Sequence, residues 1–161
     1  MKVLSSAPGK VTLFGEHAIV YGKPAIVTAI DKKVEVFLKK RDDGKVKIAA
    51  HDLMLPGVVL TFSEKEVVIE TDYGKAINAV SYIKKALEIT SSYLGKYVGV
   101  DIDVRSEMPV GAGLGTSAAV SVATIKGYGA VLDVDLSSEE VAKLGHKVEL
   151  EVQGAASPMD T

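Results

Sequence analysis

The chain has 161 residues, 47% of them hydrophobic and 25% charged, with a formal net charge of −2 at pH 7. This balance is typical of one globular domain or lobe that buries roughly 70% of its unfolded surface. The small negative charge gives no electrostatic reason to expect nucleic acid or a membrane as partner. The absence of cysteine excludes disulfides and thiolate chemistry and fits a cytoplasmic protein. Neither a secretion signal nor a spanning run of about 18 apolar residues is visible.

The first chemically informative segment covers residues 8–17 and reads Pro-Gly-Lys-Val-Thr-Leu-Phe-Gly-Glu-His. It places Lys10 just after a Pro-Gly turn, and Glu16 with His17 just after a second glycine. An apolar stretch with one charge at its head can hold that ammonium near a phosphate or an ionising hydroxyl. Taken alone, the position of Lys10 favours a solvated surface lysine over a functional one, and that of His17 favours a packed or surface histidine over a catalytic one.

The remainder of the first half is rich in predicted strands. Hydrophobic and polar residues alternate over residues 34–38 and again over residues 46–48. Residues 41–44 read Arg-Asp-Asp-Gly, which predicts a hairpin that joins these two strands. Residues 58–62 and 67–70 are further extended segments.

A helix and a strand are predicted next. Apolar residues recur at helical spacing over residues 75–94, and Gly95 can cap the end of that helix. Residues 98–105 then alternate cleanly between apolar and polar and form the clearest strand of the chain. This strand leads directly into a glycine-rich loop, which is the context that a phosphate-binding loop requires.

The glycine-rich loop covers residues 109–119 and places Gly111, Gly113 and Gly115 on alternate positions before Thr116 and Ser117. Glycine allows positive φ and close approach to a ligand, and the helix start that follows suits a phosphate. One hydroxyl, on Ser117 or Thr116, is available to a magnesium ion. The loop lacks the lysine of a Walker motif, and Thr116 replaces a glycine of the dinucleotide fingerprint. The alternative is a glycine-rich turn with no ligand.

Two helices follow the loop. Residues 116–132 predict a buried helix, and Ser137 with Glu140 predicts the capping box of a helix that ends near residue 153. Glu149 and Glu151 lie two residues apart near its end, so they point to different faces and cannot both serve one site. Gly154 ends the helix, and Asp160 follows on a loop, where its position alone fits a turn residue.

Together these segments resemble the family of small-molecule kinases named for galactose, homoserine, mevalonate and phosphomevalonate. The resemblance spans nearly the whole chain and rests on residues 8–17, on the loop at residues 109–119, and on the acidic segment that ends at Asp160. Within the family, residues 18–25 (Ala-Ile-Val-Tyr-Gly-Lys-Pro-Ala) are similar to the members that phosphorylate mevalonate. Galactokinases would have Thr-Asp-Tyr after the Glu-His pair.

The resemblance implies a role for each matching residue. Asp160 corresponds to the catalytic base and Lys10 to the lysine near the substrate hydroxyl, with Glu16 and His17 near the acceptor alcohol. Ser117 and Glu149 correspond to the ligands of Mg²⁺. The residues implied to line the phosphates of ATP are Pro109, Gly111, Ala112, Gly113, Leu114, Gly115, Thr116 and Ser117.

The implied fold is α/β (α+β), a mixed sheet with helices packed on it, similar to one domain of ribosomal protein S5. The implied reaction transfers the γ-phosphate of ATP to the hydroxyl of mevalonate, and a homodimer is compatible with the resemblance. Residues 1–161 then correspond to the ATP-binding N-terminal domain of the family, and we expect a C-terminal substrate-side domain to be missing.

Two departures and two alternatives accompany this interpretation. Pro158 stands where the family has glycine before its acid, which affects the aim of Asp160. A chain without the family's second half is expected to bind nucleotide weakly.

The alternatives are a sister kinase for phosphomevalonate or another small alcohol, and a non-catalytic nucleotide- or RNA-binding module. The acidic pI and the lack of a basic stripe argue against RNA.

Overall fold

A computed structural model of the chain describes residues 1–50, 58–62, 67–70, 76–108 and 112–154. The secondary structure consists of six strands, three α-helices and a short 3-10 helix in this part of the chain. The strands are β1 (Lys2–Phe14), β2 (Ile26–Arg41), β3 (Val46–Ala50), β4 (Val58–Phe62), β5 (Val67–Glu70) and β6 (Gly99–Ser106). The helices are α1 (Ala76–Leu94), α2 (Thr116–Val131) and α3 (Ser138–Gln153), and the 3-10 turn is Ala18–Tyr21.

The six strands form one mixed sheet in the order β1-β2-β6-β3-β4-β5. Strand β6 runs antiparallel to β2 and parallel to β3, and the remaining neighbours are antiparallel. The predicted fold class, a mixed sheet with packed helices, is therefore confirmed. None of the helices in the described segments is long and apolar enough to cross a membrane.

The predicted hairpin over residues 41–44 is wrong. The chain does turn there, with Gly44 at φ +69°, but β6 lies between β2 and β3, so these two strands do not pair. The loop crosses the start of β6 directly over Gly99, where a Cβ would lie 2.6 Å from the carbonyl carbon of Gly44. Alternation identifies strands but not their neighbours, and a strand distant in sequence has entered between two that are adjacent in the chain.

The helices cover one face of the sheet. The inward residues of β2, β3 and β6 are almost fully buried and form one apolar cluster with α1 and α2. A second cluster joins α1, α2 and α3. Helix α2 is buried on most sides, as its nearly continuous small and apolar sequence predicts. The buried hydroxyl of Tyr128 ties α2 to the entry of β6, because it donates to the Val98 carbonyl oxygen and accepts from the Val98 N–H.

The predicted limits of the three helices agree with the structure to within one residue. Ser137 caps α3 by accepting from the N–H of Glu140, whose carboxylate accepts from the N–H of Ser137, and Gly154 ends the helix in the left-handed conformation. Helix α2 begins at Thr116 and α1 ends at Leu94, as expected. Local sequence decides these limits because a cap and a left-handed glycine act on their own turn only.

Strands β1 and β2 extend beyond the sheet as a two-stranded arm, defined here as residues 11–29. Strand β2 pairs with β6 only from Val34 onward, whereas its pairing with β1 continues out to Phe14 opposite Ile26. Gly15, at φ +89°, turns the chain at the tip, where a Cβ would lie 2.7 Å from the carbonyl oxygen of Pro24. The arm therefore carries the second half of the first motif away from the sheet.

Candidate functional site

The glycine-rich loop connects β6 to α2, as predicted. Gly113 and Gly115 have φ values of +72° and +69°, which side-chain-bearing residues adopt only with strain. Gly115 is the N-cap of α2 and contributes no side-chain cap. N–H groups in the first turn of any α-helix lack a carbonyl partner within the helix and suit an anion. The described part of the loop therefore has the backbone geometry that the predicted phosphate cradle requires.

The two hydroxyl residues at this helix start have different environments. Thr116 is buried, with 5% of its surface exposed, whereas Ser117 is half-buried. The backbone carbonyl of Ser117 accepts a hydrogen bond from the Ser121 hydroxyl, one turn further along α2. Of the two residues that the sequence left open for a metal, Ser117 is thus the one with the more accessible side chain.

Lys10 lies against the glycine-rich loop. Its backbone N–H donates to the Leu114 carbonyl oxygen at 3.0 Å, which fixes β1 to the loop. Its side chain runs over Gly115, since a Cβ on that glycine would lie 3.0 Å from Cγ and 3.3 Å from Cε of Lys10. The Lys10 Nζ donates to the Thr12 hydroxyl at 3.3 Å. Two motifs about 100 residues apart in sequence therefore meet at one place.

Sequence reasoning did not identify Gly9 and Met108 as parts of this junction. A Cβ on Gly9 would lie 2.1 Å from the sulfur of Met108 and 3.0 Å from the Leu114 carbonyl oxygen. Met108, with 1% of its surface exposed, belongs to the main apolar cluster and packs against Gly9. The predicted Pro-Gly turn before Lys10 is wrong, because both residues lie within β1, at a register shift of its pairing with β2. The glycine was the available signal, since a glycine inside a strand often marks a close backbone approach.

Glu149 is a buried carboxylate on α3. Only 4% of its surface is exposed, whereas Glu151 is exposed and pairs with Lys85 of α1. The prediction that these two glutamates face different sides of the helix is confirmed. Helices α2 and α3 pack together, so Glu149 and the helix that carries Ser117 belong to the same layer.

Glu16 and His17 are both exposed at the tip of the arm. His17 is the N-cap of the 3-10 turn, and the N–H of Ile19 donates to the Gly15 carbonyl oxygen at 3.1 Å. Lys10, in contrast, stands at the base of the arm against the loop. The first motif is therefore spread along the arm rather than gathered at the glycine-rich loop.

Three predicted site residues, Pro109, Gly111 and Asp160, lie outside the described residues. Ala112 is exposed at the start of the described part of the loop and Leu114 is half-buried. Among the described residues, no group of three or more His, Cys, Asp or Glu side chains is gathered as a metal cluster. A groove of about 590 Å³ on the open face of the sheet is lined by residues of β1, β2, β3 and β6, none of which is a predicted site residue.

A strand, a loop with left-handed glycines and a helix start, with a lysine laid across them, form an α/β arrangement of the kind that the predicted phosphate cradle requires. The family model described as "GHMP kinases N terminal domain" matches residues 81–161. The chain therefore belongs to the GHMP kinases, the family of small-molecule kinases that its motifs resemble.

The chain is similar to mevalonate kinases over nearly its whole length. It is 53% identical over 158 residues to the mevalonate kinase of Pyrococcus abyssi and 54% identical to that of Pyrococcus horikoshii, with 98% of this chain and 47% of each relative covered. The crystal structure of the Methanococcus jannaschii mevalonate kinase matches with a TM-score of 0.76 at 33% identity, covering 99% of this chain and 49% of that one. The chain thus spans about half the length of these relatives.

Proposed function

We propose that this chain is the ATP-binding half of a kinase that transfers the γ-phosphate of ATP to the hydroxyl of mevalonate. The observation that carries the proposal is the placement of Lys10 across Gly115 at the start of α2. A positive charge beside a glycine-lined helix start suits the transfer of a phosphoryl group. Mevalonate is proposed as the substrate because the Pyrococcus proteins that share more than half of the aligned residues with this chain are mevalonate kinases.

The described residues divide the chemistry between them. Backbone N–H groups of the loop from Ala112 to Ser117 bind the phosphates, and Gly113 and Gly115 allow the backbone to come close. Lys10 stabilises the charge that develops on the acceptor oxygen as its proton leaves. Phosphoryl transfer depends mainly on positioning and charge neutralisation, so a preformed cradle with one fixed ammonium group supplies a large part of the catalysis.

Ser117 and Glu149 are the residues that would hold Mg²⁺. A half-buried hydroxyl and a buried carboxylate are hard oxygen donors of the kind that Mg²⁺ prefers, and the ion usually takes its other ligands from water and phosphate. Two protein donors are therefore enough. When bound, the ion neutralises charge on the phosphate oxygens.

Asp160 is proposed as the base that accepts or orients the proton of the substrate hydroxyl, and Glu16 and His17 as residues near the acceptor alcohol. These roles rest on the family resemblance. Pro158, in place of the family's glycine, restricts the backbone just before Asp160. The orientation of the Asp160 carboxylate toward the substrate hydroxyl is therefore the part of the proposal that an activity assay tests most severely.

The proposed protein has a second, C-terminal half that completes the substrate side, since the mevalonate kinases of Pyrococcus are about twice as long as this chain. We further propose a cytoplasmic location, mevalonate and ATP as the partners, no nucleic acid or membrane, and a homodimer. A sister kinase for phosphomevalonate is the second candidate, because the glycine-rich loop does not distinguish these substrates.

The experiment that tests the proposal uses a chimera, in which this chain is followed by the remaining half of the Pyrococcus abyssi relative. Mg²⁺-dependent ATP binding is measured for the chimera, for Ser117→Ala and for Ser138→Ala, an exposed serine on α3 that serves as the control. We expect Ser117→Ala to weaken binding about tenfold or more and Ser138→Ala to leave it unchanged. Equal binding by all three would refute the metal role of Ser117 and favour a module without catalysis.

Substrate choice is measured separately on the same chimera. ADP release is recorded with mevalonate, phosphomevalonate, homoserine and galactose in turn. A response to mevalonate above the others supports the proposal. A response to phosphomevalonate alone would replace it with the sister kinase.

A further inference from the structure

The arm, residues 11–29, carries an unusual share of the exposed apolar surface. Ten large hydrophobic residues are exposed in the described part of the chain, and five of them lie on the arm. These five are Leu13, Phe14, Tyr21, Ile26 and Val27, with exposed fractions between 41% and 81%. A concentration of exposed apolar residues on one element marks a candidate interaction site, whereas exposed hydrophobic residues scattered singly over a surface are ordinary.

Both faces of the arm are uncovered. Ile26 and Val27 are neighbours in β2, the strand that has no extra residue at the register shift between Thr12 and Phe14, so they point to opposite faces, and they are 58% and 41% exposed. Phe14 lies opposite Ile26 in the register, and Ile26 is 58% exposed. An isolated two-stranded ribbon is only marginally stable in water. The arm therefore needs a partner that encloses it, not one that touches a single side.

We infer that the arm is the docking element for the C-terminal half of the kinase, which encloses both of its faces. This inference rests on the proposed function for the identity of the occupant. The Pyrococcus relatives hold roughly as much chain again beyond the part matched here, which is enough for a domain. A second copy of this chain fits less well, because a two-fold contact uses one shared patch and leaves the opposite face of the ribbon exposed.

The position of the arm connects docking to the site. Gly15 turns the chain at the tip, and Glu16 and His17 follow it directly, while Lys10 is fixed at the base by its bond to Leu114. A domain that binds over the arm keeps the tip of the arm at a constant distance and orientation from its base. Docking thereby places the Glu-His pair with respect to the glycine-rich loop.

The test exploits the absence of cysteine in the chain. Tyr21→Cys and Ile26→Cys each create one labelling site on the arm, and Leu4→Cys creates a control on the same strand as the base of the arm, where Leu4 is 57% exposed. Each substitution is made in this chain and in the chimera. The rate of reaction with a water-soluble maleimide is read at the substituted residue by peptide mass spectrometry.

We expect both arm positions to react at least about tenfold more slowly in the chimera than in this chain, and the Leu4→Cys position to react at the same rate in both. Equal rates at the arm positions would overturn the inference. A decrease in their rates as the concentration of this chain alone is raised would identify a second copy as the occupant, and would also overturn it.

Hydrogen exchange on the unsubstituted proteins gives an independent measurement if a cysteine variant does not fold. The amides of residues 11–29 should exchange more slowly in the chimera, with those of the buried helix α2 as the folded reference. Neither readout needs ATP or mevalonate. Protection of the arm in a chimera that does not phosphorylate mevalonate would retain the docking inference and reject the proposed substrate.

Discussion

Alanine substitutions at two glycines of the glycine-rich loop measure the free energy of the contact between Lys10 and that loop. Gly113 and Gly115 have nearly the same φ, so alanine at either costs about 1–2 kcal/mol of backbone strain. They differ in their surroundings. No described atom lies within 4 Å of a Cβ at Gly113, whereas a Cβ at Gly115 would meet the Lys10 stem at 3.0 Å. Gly113→Ala is thus a matched control for strain alone.

We expect each single variant to lower the melting temperature of the chain by about 2–8 °C. In double-mutant cycles with Lys10→Ala, Gly113→Ala should be additive within about 0.5 kcal/mol, whereas Gly115→Ala should couple by about 0.5–1 kcal/mol because removing the stem relieves the contact. The assay is urea unfolding followed by circular dichroism. Additivity of Gly115→Ala with Lys10→Ala would refute the placement of Lys10 over the loop, and a stabilising effect of Gly113→Ala would refute the left-handed conformation of that glycine.

Three further predictions concern the framework around the site. Tyr128→Phe should cost about 1–3 kcal/mol in urea unfolding, because it leaves the buried N–H and carbonyl of Val98 without their partner; no loss would show that water replaces the hydroxyl. The backbone N–H and then the hydroxyl of Ser137 hold the pKa of Glu140 below its usual value. The stability that Glu140 contributes is therefore complete above the pKa of Glu140 in the unfolded chain and is lost as pH falls through its pKa in the folded chain. The difference in unfolding free energy between wild type and Glu140→Gln should shrink from about pH 7 to about pH 3. A difference that stays constant over this range would contradict the prediction. Gly99→Ala should cost about 1–3 kcal/mol, because its Cβ would lie 2.6 Å from the backbone of the loop that crosses β6; an unchanged melting temperature would show that the crossing has room to move.

The sequence predicted local features well. The capping box of Ser137, the helix stop at Gly154, and the strand-loop-helix order around the phosphate loop each depend on a few adjacent residues, and each is confirmed. The family, too, follows from motifs that are short and contiguous.

Features that depend on contacts between distant segments were harder to predict. The insertion of β6 between β2 and β3 could not be read from alternation, because every strand of the sheet has the same period. The packing of Gly9 on Met108 joins residues about 100 positions apart, and neither residue type signals the other. The exposure of the arm likewise depends on the sheet, because β6 pairs with β2 only from Val34 onward and leaves the arm without a third strand. The sequence from Leu13 to Val27 does not show where that pairing begins.

The most direct test of the central claim is Mg²⁺-dependent release of ADP, with and without mevalonate, by this chain and by the chimera. We expect mevalonate-dependent release by the chimera and little or none by the chain of 161 residues, and we expect Lys10→Met to abolish release by the chimera. Release by the chain alone at the rate of the chimera would contradict the role given to the second half. No response of the chimera to mevalonate would contradict the proposed reaction itself.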